Sequence, residues 1–260
     1  MRFSANLSFL FKDAPFVDRF MRARDAGFDG VEFMWPGTAE VPAVERAVAE
    51  TGLEVALFNF DAGDIAAGDR GLLSDPSRDE RFRDNVPVAL ELAGKIGCNR
   101  LNALVGVRLP DLELEAQLEL ARHNVAWAAE QAQPQGARIM IEAVNTYENG
   151  PYLLDTTANA VNFVESIAAD NVELQYDVYH MQRMEGNLAD TISRVLPRIG
   201  HVQVADPPNR SEPGTGEINY GFILDLLERS GYGGWVGLEY NPSTPRTEDS
   251  LGWIKELGYG

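Results

Sequence analysis

The chain has 260 residues, of which 45% are hydrophobic and 24% charged, a composition that permits one sizeable globular core. Its net charge of −18 argues against nucleic acid or an anionic membrane surface as a partner, because both require basic patches. The single cysteine, Cys98, excludes an intramolecular disulfide and fits a reducing compartment. Because no segment approaches the ~18 apolar residues of a membrane span and the first residues contain no apolar signal core, we expect a cytoplasmic protein.

Short apolar runs alternate with amphipathic stretches along the whole chain. The runs predict eight strands, at residues 3–7, 30–34, 54–60, 100–105, 138–144, 173–178, 201–205 and 235–240. The stretches between them predict helices at residues 16–26, 41–51, 80–96, 113–133, 157–168, 188–196 and 220–229. Capping residues support these boundaries: Asp13 with Pro15 before the first helix, Thr156 and Asn219 before two later ones, and glycines at 27, 52, 97 and 231 after helix ends.

This strict strand–helix alternation predicts the fold class. Eight such units are typical of an α/β protein of the (β/α)₈ TIM-barrel type, with residues 1–260 forming a single domain. An open doubly wound sheet is the alternative, but the glycines after the first strand do not form the dinucleotide-binding fingerprint. We therefore expect a barrel whose chemistry lies at the carboxyl ends of its strands.

Four oxygen-bearing side chains lie at the ends of predicted strands five to eight. They are Glu142, Asp177, Gln203 and Glu239. Neighbouring strands of a barrel bring such residues to one point, and a buried carboxylate costs several kcal/mol unless it is paired or bound to a metal. The pattern therefore predicts a site for one divalent cation. Ion pairs between Glu142 or Glu239 and arginines inside the barrel are the alternative.

The predicted ligands also indicate which ion they prefer. Three carboxylates and one amide oxygen suit Mg²⁺ or Mn²⁺, with Co²⁺ also accepted, better than zinc. Three carboxylates against a divalent ion leave one negative charge that can act as a base. The chain has three histidines and none of them form a pair with zinc-ligand spacing; we interpret His123 and His201 as structural.

Five stretches of sequence carry a resemblance to a known family. They are residues 3–8, 30–34, 62–71, 176–186 and 212–220, of which Tyr-His-Met-Gln-Arg-Met-Glu-Gly at 179–186 is the most specific. Together they resemble the hydroxypyruvate isomerase family, which belongs to the xylose-isomerase-like TIM barrels and is related to the ketose 3-epimerases. The resemblance implies a divalent metal held by Glu142, Asp177, Gln203 and Glu239, with Glu142 and Glu239 as the catalytic acid–base pair. The 3-epimerases carry His at the position of Gln203.

The resemblance further implies which residues contact the substrate. Glu148 and His180 occupy positions that contact substrate oxygens in the related epimerases, although packing against the loop is an alternative for His180. Arg210, on the loop after strand seven, aligns only approximately with a substrate-binding arginine. Because hydroxypyruvate carries a carboxylate, we expect a further cation near the metal. Arg70 and Arg183 lie in family-like segments, with surface salt bridging as their alternative.

The implied reaction interconverts hydroxypyruvate and 2-hydroxy-3-oxopropanoate (tartronate semialdehyde), or a related short oxo acid such as 2-oxo-tetronate, through an enediolate. A ketose 3-epimerase acting on free sugars is the main alternative. An abasic-site nuclease would need His-rich zinc ions and a basic face, and a non-catalytic metal-binding protein would exchange no substrate protons. We expect a small-molecule oxo acid or sugar as partner, neither nucleic acid nor membrane, and leave homo-oligomerisation open.

Overall fold

Eight parallel strands form a closed barrel in chain order in the computed structural model, which describes residues 1–259. The strand β1 pairs with β8 as well as with β2, so that the ring has no free edge. This architecture confirms the predicted (β/α)₈ fold class. The strands are β1 Arg2–Asn6, β2 Gly30–Phe33, β3 Glu54–Asn59, β4 Arg100–Asn102, β5 Arg138–Glu142, β6 Val172–Asp177, β7 Ile199–Val204 and β8 Trp235–Leu238.

Within residues 1–259, ten α-helices surround the barrel or cover its mouth. Seven of them match predicted helices to within a few residues, whereas the short helices α5, α7 and α10 were not predicted. α7 begins immediately after β6, where the sequence pattern had indicated the last residue of a strand. The helices are α1 Asp18–Asp25, α2 Val41–Thr51, α3 Asp79–Ile96, α4 Leu114–Ala132, α5 Thr146–Asn149, α6 Thr157–Glu165, α7 Val178–Met184, α8 Leu188–Val195, α9 Tyr220–Arg229 and α10 Gly252–Glu256.

The helix ends confirm most of the predicted caps. Thr156 accepts a hydrogen bond from the Asn159 amide at the start of α6, and Asn219 accepts one from Phe222 at the start of α9. The prediction for Asp13 was wrong, because α1 begins five residues later and its first turn has no side-chain cap. Local side-chain caps therefore define most of these helix ends, whereas the start of α1 has no such cap.

Apolar and polar side chains separate across the barrel wall. Phe33 of β2 stacks on Phe58 of β3 at 5.5 Å, and Phe20 of α1 meets Phe33 edge-on at 5.7 Å, so that the apolar core lies between strands and helices. The barrel interior instead contains buried polar residues, among them Glu32 and His201, each with an exposed fraction of 0%. The mouth of the barrel thus rests on a hydrogen-bonded polar layer. Among residues 1–259, no helix has the length and apolarity that crossing a membrane demands.

Candidate metal centre and active site

Three of the four predicted metal ligands converge at the mouth of the barrel. Glu142 is the last residue of β5, Asp177 is the last of β6, and Glu239 directly follows β8. One carboxylate oxygen from each and one ring nitrogen of His180 lie within 4.8 Å of one another, and all four residues are buried. The parallel pairing of consecutive strands places these ends side by side, as the spacing predicted.

The crowding of these carboxylates alters their acidity. Burial and the charges of Glu239 and Asp177 raise the pKa of Glu142 well above its ordinary value. Burial, together with the charges of Asp177 and Glu32, raises the pKa of Glu239 to about 8, although Arg210 acts in the opposite direction. Without a cation, the cluster therefore retains protons near neutral pH. A divalent cation would relieve this repulsion, so these residues could hold one.

Glu142 is held by amide donors. Asn102 Nδ2 and Gln175 Nε2 donate to its Oε2 atom at 2.8 and 2.9 Å. Its other oxygen, Oε1, lies 3.8 Å from His180 Nε2 and faces the cluster. One oxygen of Glu142 is therefore anchored to the barrel wall, while the other is directed at the remaining residues of the cluster.

Gln203 lies beside the cluster in a defined orientation. Its Nε2 atom donates to Glu32 Oε1 at 2.7 Å and to Glu239 Oε1 at 3.1 Å. Its amide oxygen accepts from Gln175 Nε2 at 2.6 Å. The side chain thus contacts Glu239 through nitrogen and faces the side of Gln175 and Glu142 through oxygen. Its role as a metal ligand stays a prediction.

His180 belongs to the cluster itself, and its predicted contact with substrate stays a prediction. Asp177 Oδ1 begins α7 by accepting from the amides of Tyr179 at 2.8 Å and His180 at 3.3 Å, and this cap turns the imidazole inward. Asn145 Nδ2 lies 2.7 Å from His180 Nδ1, which leaves Nε2–H directed at Asp177 and Glu142. Burial lowers the pKa of His180 well below its ordinary value, so the ring is neutral.

Arg210 places a positive charge directly beside the carboxylates of the cluster. Its guanidinium pairs with Glu239 and lies 3.8 Å from Asp177 Oδ2. The group packs over the rings of Phe9 and Tyr179, at 4.7 and 5.2 Å from their centroids. Arg210 therefore binds the predicted metal ligands directly, and its predicted contact with substrate stays a prediction.

Glu148 and Arg183 lie at the rim, where they bind each other. Arg183 Nη1 donates to Glu148 Oε1 at 2.9 Å and contacts the Tyr179 hydroxyl at 2.8 Å, while the same hydroxyl donates to Glu148 at 2.7 Å. Asn145 Nδ2 donates to the second oxygen of Glu148 at 3.0 Å. This network braces α5 against α7. It satisfies the charges of both residues without a substrate.

A cavity of about 210 Å³ opens directly above the cluster. Larger clefts lie on the outer helices beside His123 and at the opposite end of the barrel beside Trp235, away from the carboxylates. The small cavity is therefore the candidate site for a substrate. Its lining residues are Phe9, Met34, Asn59, Ile65, Arg70, Leu104, Glu142, Val144, Asn149, Tyr152, His180, Arg210 and Glu239.

Arg70 lines this cavity, unlike Arg183. Its Nε atom donates to Asn149 Oδ1 at 2.7 Å, and its Nη1 atom donates to the carbonyl oxygens of Ile65 and Asp69 at 3.0 and 2.7 Å. All three acceptors are neutral. Arg70 therefore holds a positive charge at the cavity wall while its orientation is fixed by neutral groups.

Several residues in contact with the cluster were missed by sequence reasoning. Asn6 ends β1 and donates to Glu239 Oε1 at 3.0 Å, and Glu32 of β2 contacts Gln203. Both lie in the family-like segments near the N-terminus, and both end or interrupt apolar runs. Applying the strand-end criterion to the first half of the chain would have found Asn6, whereas Glu32 lies inside β2 and does not end a strand.

Comparison with known proteins gives one consistent result. A family model described as xylose isomerase-like TIM barrel matches residues 20–257. The chain is 41% identical over 254 residues to the hydroxypyruvate isomerase of Escherichia coli (strain K12), covering 98% of each chain. It is also 41% identical to the 2-oxo-tetronate isomerase of Pectobacterium atrosepticum, covering 98% of this chain and 97% of the relative.

Solved structures show the same architecture. A structure from Brucella melitensis described as AP endonuclease, family 2, is 39% identical, with a TM-score of 0.93 and 98% coverage of both chains. A D-psicose 3-epimerase from Clostridium cellulolyticum H10, solved with D-tagatose, is 19% identical, with a TM-score of 0.77. The match covers 100% of this chain and 92% of the epimerase chain. At that identity, the second similarity shows the fold alone.

Proposed function

This chain belongs to the hydroxypyruvate isomerase family of xylose isomerase-like TIM barrels and is an isomerase, and we propose that it interconverts hydroxypyruvate and 2-hydroxy-3-oxopropanoate, or the corresponding forms of 2-oxo-tetronate. The observation that carries this proposal is the buried cluster of Glu142, Asp177, His180 and Glu239 beneath a small cavity. The cavity has a volume of about 210 Å³, which lies below the roughly 300–1,000 Å³ of drug-sized ligand sites. A three- or four-carbon acid suits that space.

Glu142, Asp177, Gln203 and Glu239 would hold the divalent cation, Mg²⁺ or Mn²⁺. When bound, this ion supplies positive charge that stabilises the negative charge developing on the carbonyl and hydroxyl oxygens of the substrate. Gln203 would contribute through its amide oxygen, which lies on the side of Glu142. These assignments rest on the burial of the carboxylates and on the repulsion between them.

Glu142 and Glu239 are the groups that would move the proton. They project from β5 and β8, three strands apart around the ring, and therefore flank the cavity from different sides. One carboxylate takes the proton from the hydroxyl-bearing carbon, which leaves an enediolate, and a proton is returned to the neighbouring carbon. The hydroxyl proton passes to the former carbonyl oxygen, so that carbonyl and hydroxyl exchange places. Such general acid–base transfer contributes roughly 10²–10⁴-fold to the rate. His180 Nε2–H, which in the structure is directed at Asp177 and Glu142, would donate a hydrogen bond to a substrate oxygen placed beside them.

Arg70 is the best placed of the three predicted arginines to bind the substrate carboxylate. Arg183 is paired with Glu148 at the rim, and Arg210 is paired with Glu239. Arg70 faces the cavity while its hydrogen bonds run to neutral oxygens. In a protein with a net charge of −18, such a cation offsets the unfavourable field that an anionic substrate meets. Its guanidinium can also bind a carboxylate with two hydrogen bonds.

The test is an assay of the protein, first stripped of metal and then reloaded, on hydroxypyruvate, 2-oxo-tetronates and neutral ketoses. We expect turnover of the oxo acids. Arg70→Ala should lower kcat/KM for them by an amount equivalent to roughly 2–4 kcal/mol, whereas Arg183→Ala serves as a matched control with little effect. Turnover of neutral ketoses without turnover of any oxo acid would reject the proposal and favour a 3-epimerase.

The nuclease activity named for the Brucella melitensis structure is not proposed for this chain. Phosphate contacts on DNA require a concentration of Lys and Arg, whereas this chain has 22 basic against 40 acidic residues. The arginine at the cluster, Arg210, is paired with Glu239. A small anionic molecule is therefore the better substrate.

A further inference from the structure

Glu32 is a buried carboxylate that the proposed chemistry does not use. It lies on β2 inside the barrel with an exposed fraction of 0%. Four side chains surround its oxygens: Ser4 Oγ at 2.8 Å, Asn6 Nδ2 at 3.1 Å, His201 Nε2 at 2.8 Å and Gln203 Nε2 at 2.7 Å. So many donors match a carboxylate that acts only as an acceptor.

Two of these donors also bind Glu239. Asn6 Nδ2 and Gln203 Nε2 each lie within hydrogen-bond distance of both Glu32 Oε1 and Glu239 Oε1, the latter at 3.0 and 3.1 Å. An amide NH₂ has two hydrogens, so each group can donate one to each carboxylate. Asn6 Oδ1 accepts from the Ser8 amide at 3.0 Å, which fixes the direction of its NH₂ group. Glu32 and Glu239 are thus joined by two amide bridges.

A glycine on β8, two strands away from β2 around the ring, makes room for the Glu32 carboxylate. Gly237 of β8 pairs with Gln203 of β7 and with Ser4 of β1. A Cβ atom added to Gly237 would collide with both carboxylate oxygens of Glu32. The strand therefore carries a residue without a side chain at the point where Glu32 crosses the barrel interior.

We propose that Glu32, supported by His201, is a positioning residue for the metal centre: it fixes the amide orientation of Gln203, and the amides of Gln203 and Asn6 hold Glu239. This inference rests on the proposed metal-dependent function. With its nitrogen held by Glu32, Gln203 directs its oxygen toward the side of Glu142, where it can act as a ligand. Reversing the amide would set its oxygen against two carboxylates.

The environment of Glu32 keeps it a strong acceptor. Its two oxygens face Ser4 Oγ, Asn6 Nδ2, His201 Nε2 and Gln203 Nε2, all of which can donate, and this arrangement of donors matches an ionised carboxylate. An ionised carboxylate has no hydrogen to donate, so it can bind an amide only through its nitrogen. Glutamine at the same position would offer one oxygen and one NH₂ group, and would no longer distinguish the two ends of Gln203.

The experiment compares Glu32→Gln with Glu173→Gln, a Glu-to-Gln change on barrel strand β6 where the carboxylate pairs with Arg138 instead of contacting the cluster. The Kd for Mn²⁺ alone is measured by electron paramagnetic resonance on stripped protein, at a temperature where thermal unfolding shows both variants folded. We expect Mn²⁺ binding weakened about 10- to 100-fold in Glu32→Gln, as for loss of a group that orients a ligand, and near-normal binding in Glu173→Gln.

Gly237→Ala provides a second variant that leaves Glu32 in the sequence and pushes its carboxylate aside. We expect weakened Mn²⁺ binding here too, and less than additive loss in the double variant with Glu32→Gln, because both act through one group. On hydroxypyruvate, both variants should lower kcat more than they raise KM. Normal Mn²⁺ affinity in both folded variants would overturn the inference. Failure of both variants to fold would overturn it as well, because Glu32 would then be needed for the fold itself.

The proposed function can fail separately. Wild-type protein that binds Mn²⁺ but does not isomerise any oxo acid would reject the substrate while leaving the Mn²⁺ comparison intact. Wild-type protein that isomerises hydroxypyruvate, with an unaffected Glu32→Gln variant, would reject only the positioning role.

Discussion

Without its divalent cation, the protein should become progressively less stable as the pH rises from about 5 to about 8. Burial and neighbouring charges raise the pKa of Glu239 from an ordinary 4.5 to about 8, and raise that of Glu142 in the same direction. In this window, the folded metal-free protein binds more protons than the unfolded chain. The stability that these two raised pKa values contribute is therefore fully present below pH 4.5, and it is lost as the pH rises through about 8.

The size of this loss follows from the pKa of Glu239. At about 1.4 kcal/mol for each pH unit, the difference between 4.5 and about 8 limits the contribution of this one group to about 5 kcal/mol. Glu148, whose pKa is lowered mainly by hydrogen bonds from Tyr179 and Asn145 despite partial burial, loses its contribution only at lower pH. Burial lowers the pKa of His180 below its ordinary 6.5, which partly offsets the loss below that pH, so the loss is steepest between about 6.5 and 8. A loss on the order of a few kcal/mol is a large part of a typical domain stability.

The assay is urea unfolding, followed by circular dichroism, of stripped protein and of protein saturated with Mn²⁺. We expect the free energy of unfolding of the stripped protein to fall across the window and the gap to the Mn²⁺-loaded protein to widen, since binding requires deprotonated ligands. Glu142→Gln, which removes one charge, should flatten the profile of the stripped protein. A stripped protein whose stability is constant or increases over this range would refute the reasoning.

The remaining predictions concern individual side chains. Glu142→Gln and Glu239→Gln should each reduce turnover at least ~10²-fold, and near-normal turnover in either one, with metal occupancy confirmed, would exclude that residue as an acid–base catalyst. Gln203→His should shift the metal preference, measured as relative affinity, toward Co²⁺ or Zn²⁺, because a ring nitrogen is a softer ligand than an amide oxygen. If the ranking of ions is unchanged, Gln203 does not bind the metal.

The sequence by itself determined the fold and the main components of the site. Short apolar runs and the amphipathic stretches between them depend on local chemistry, so the order of strands and helices was readable in advance. Because parallel strands of a barrel end at the same face, Glu142, Asp177 and Glu239 at their strand ends were already predicted to meet. Short elements such as α5 and α7 were missed, since one or two turns leave too few residues to show a period.

Only the tertiary structure decided how the polar side chains divide their work. Arg70, Arg183 and Arg210 look alike in the sequence, yet one faces the cavity, one is paired at the rim and one binds the carboxylates. Glu32 meets His201 across 169 positions of chain. Which partner a side chain finds depends on rotamers and loop paths set by packing between distant segments, and no local pattern encodes that choice.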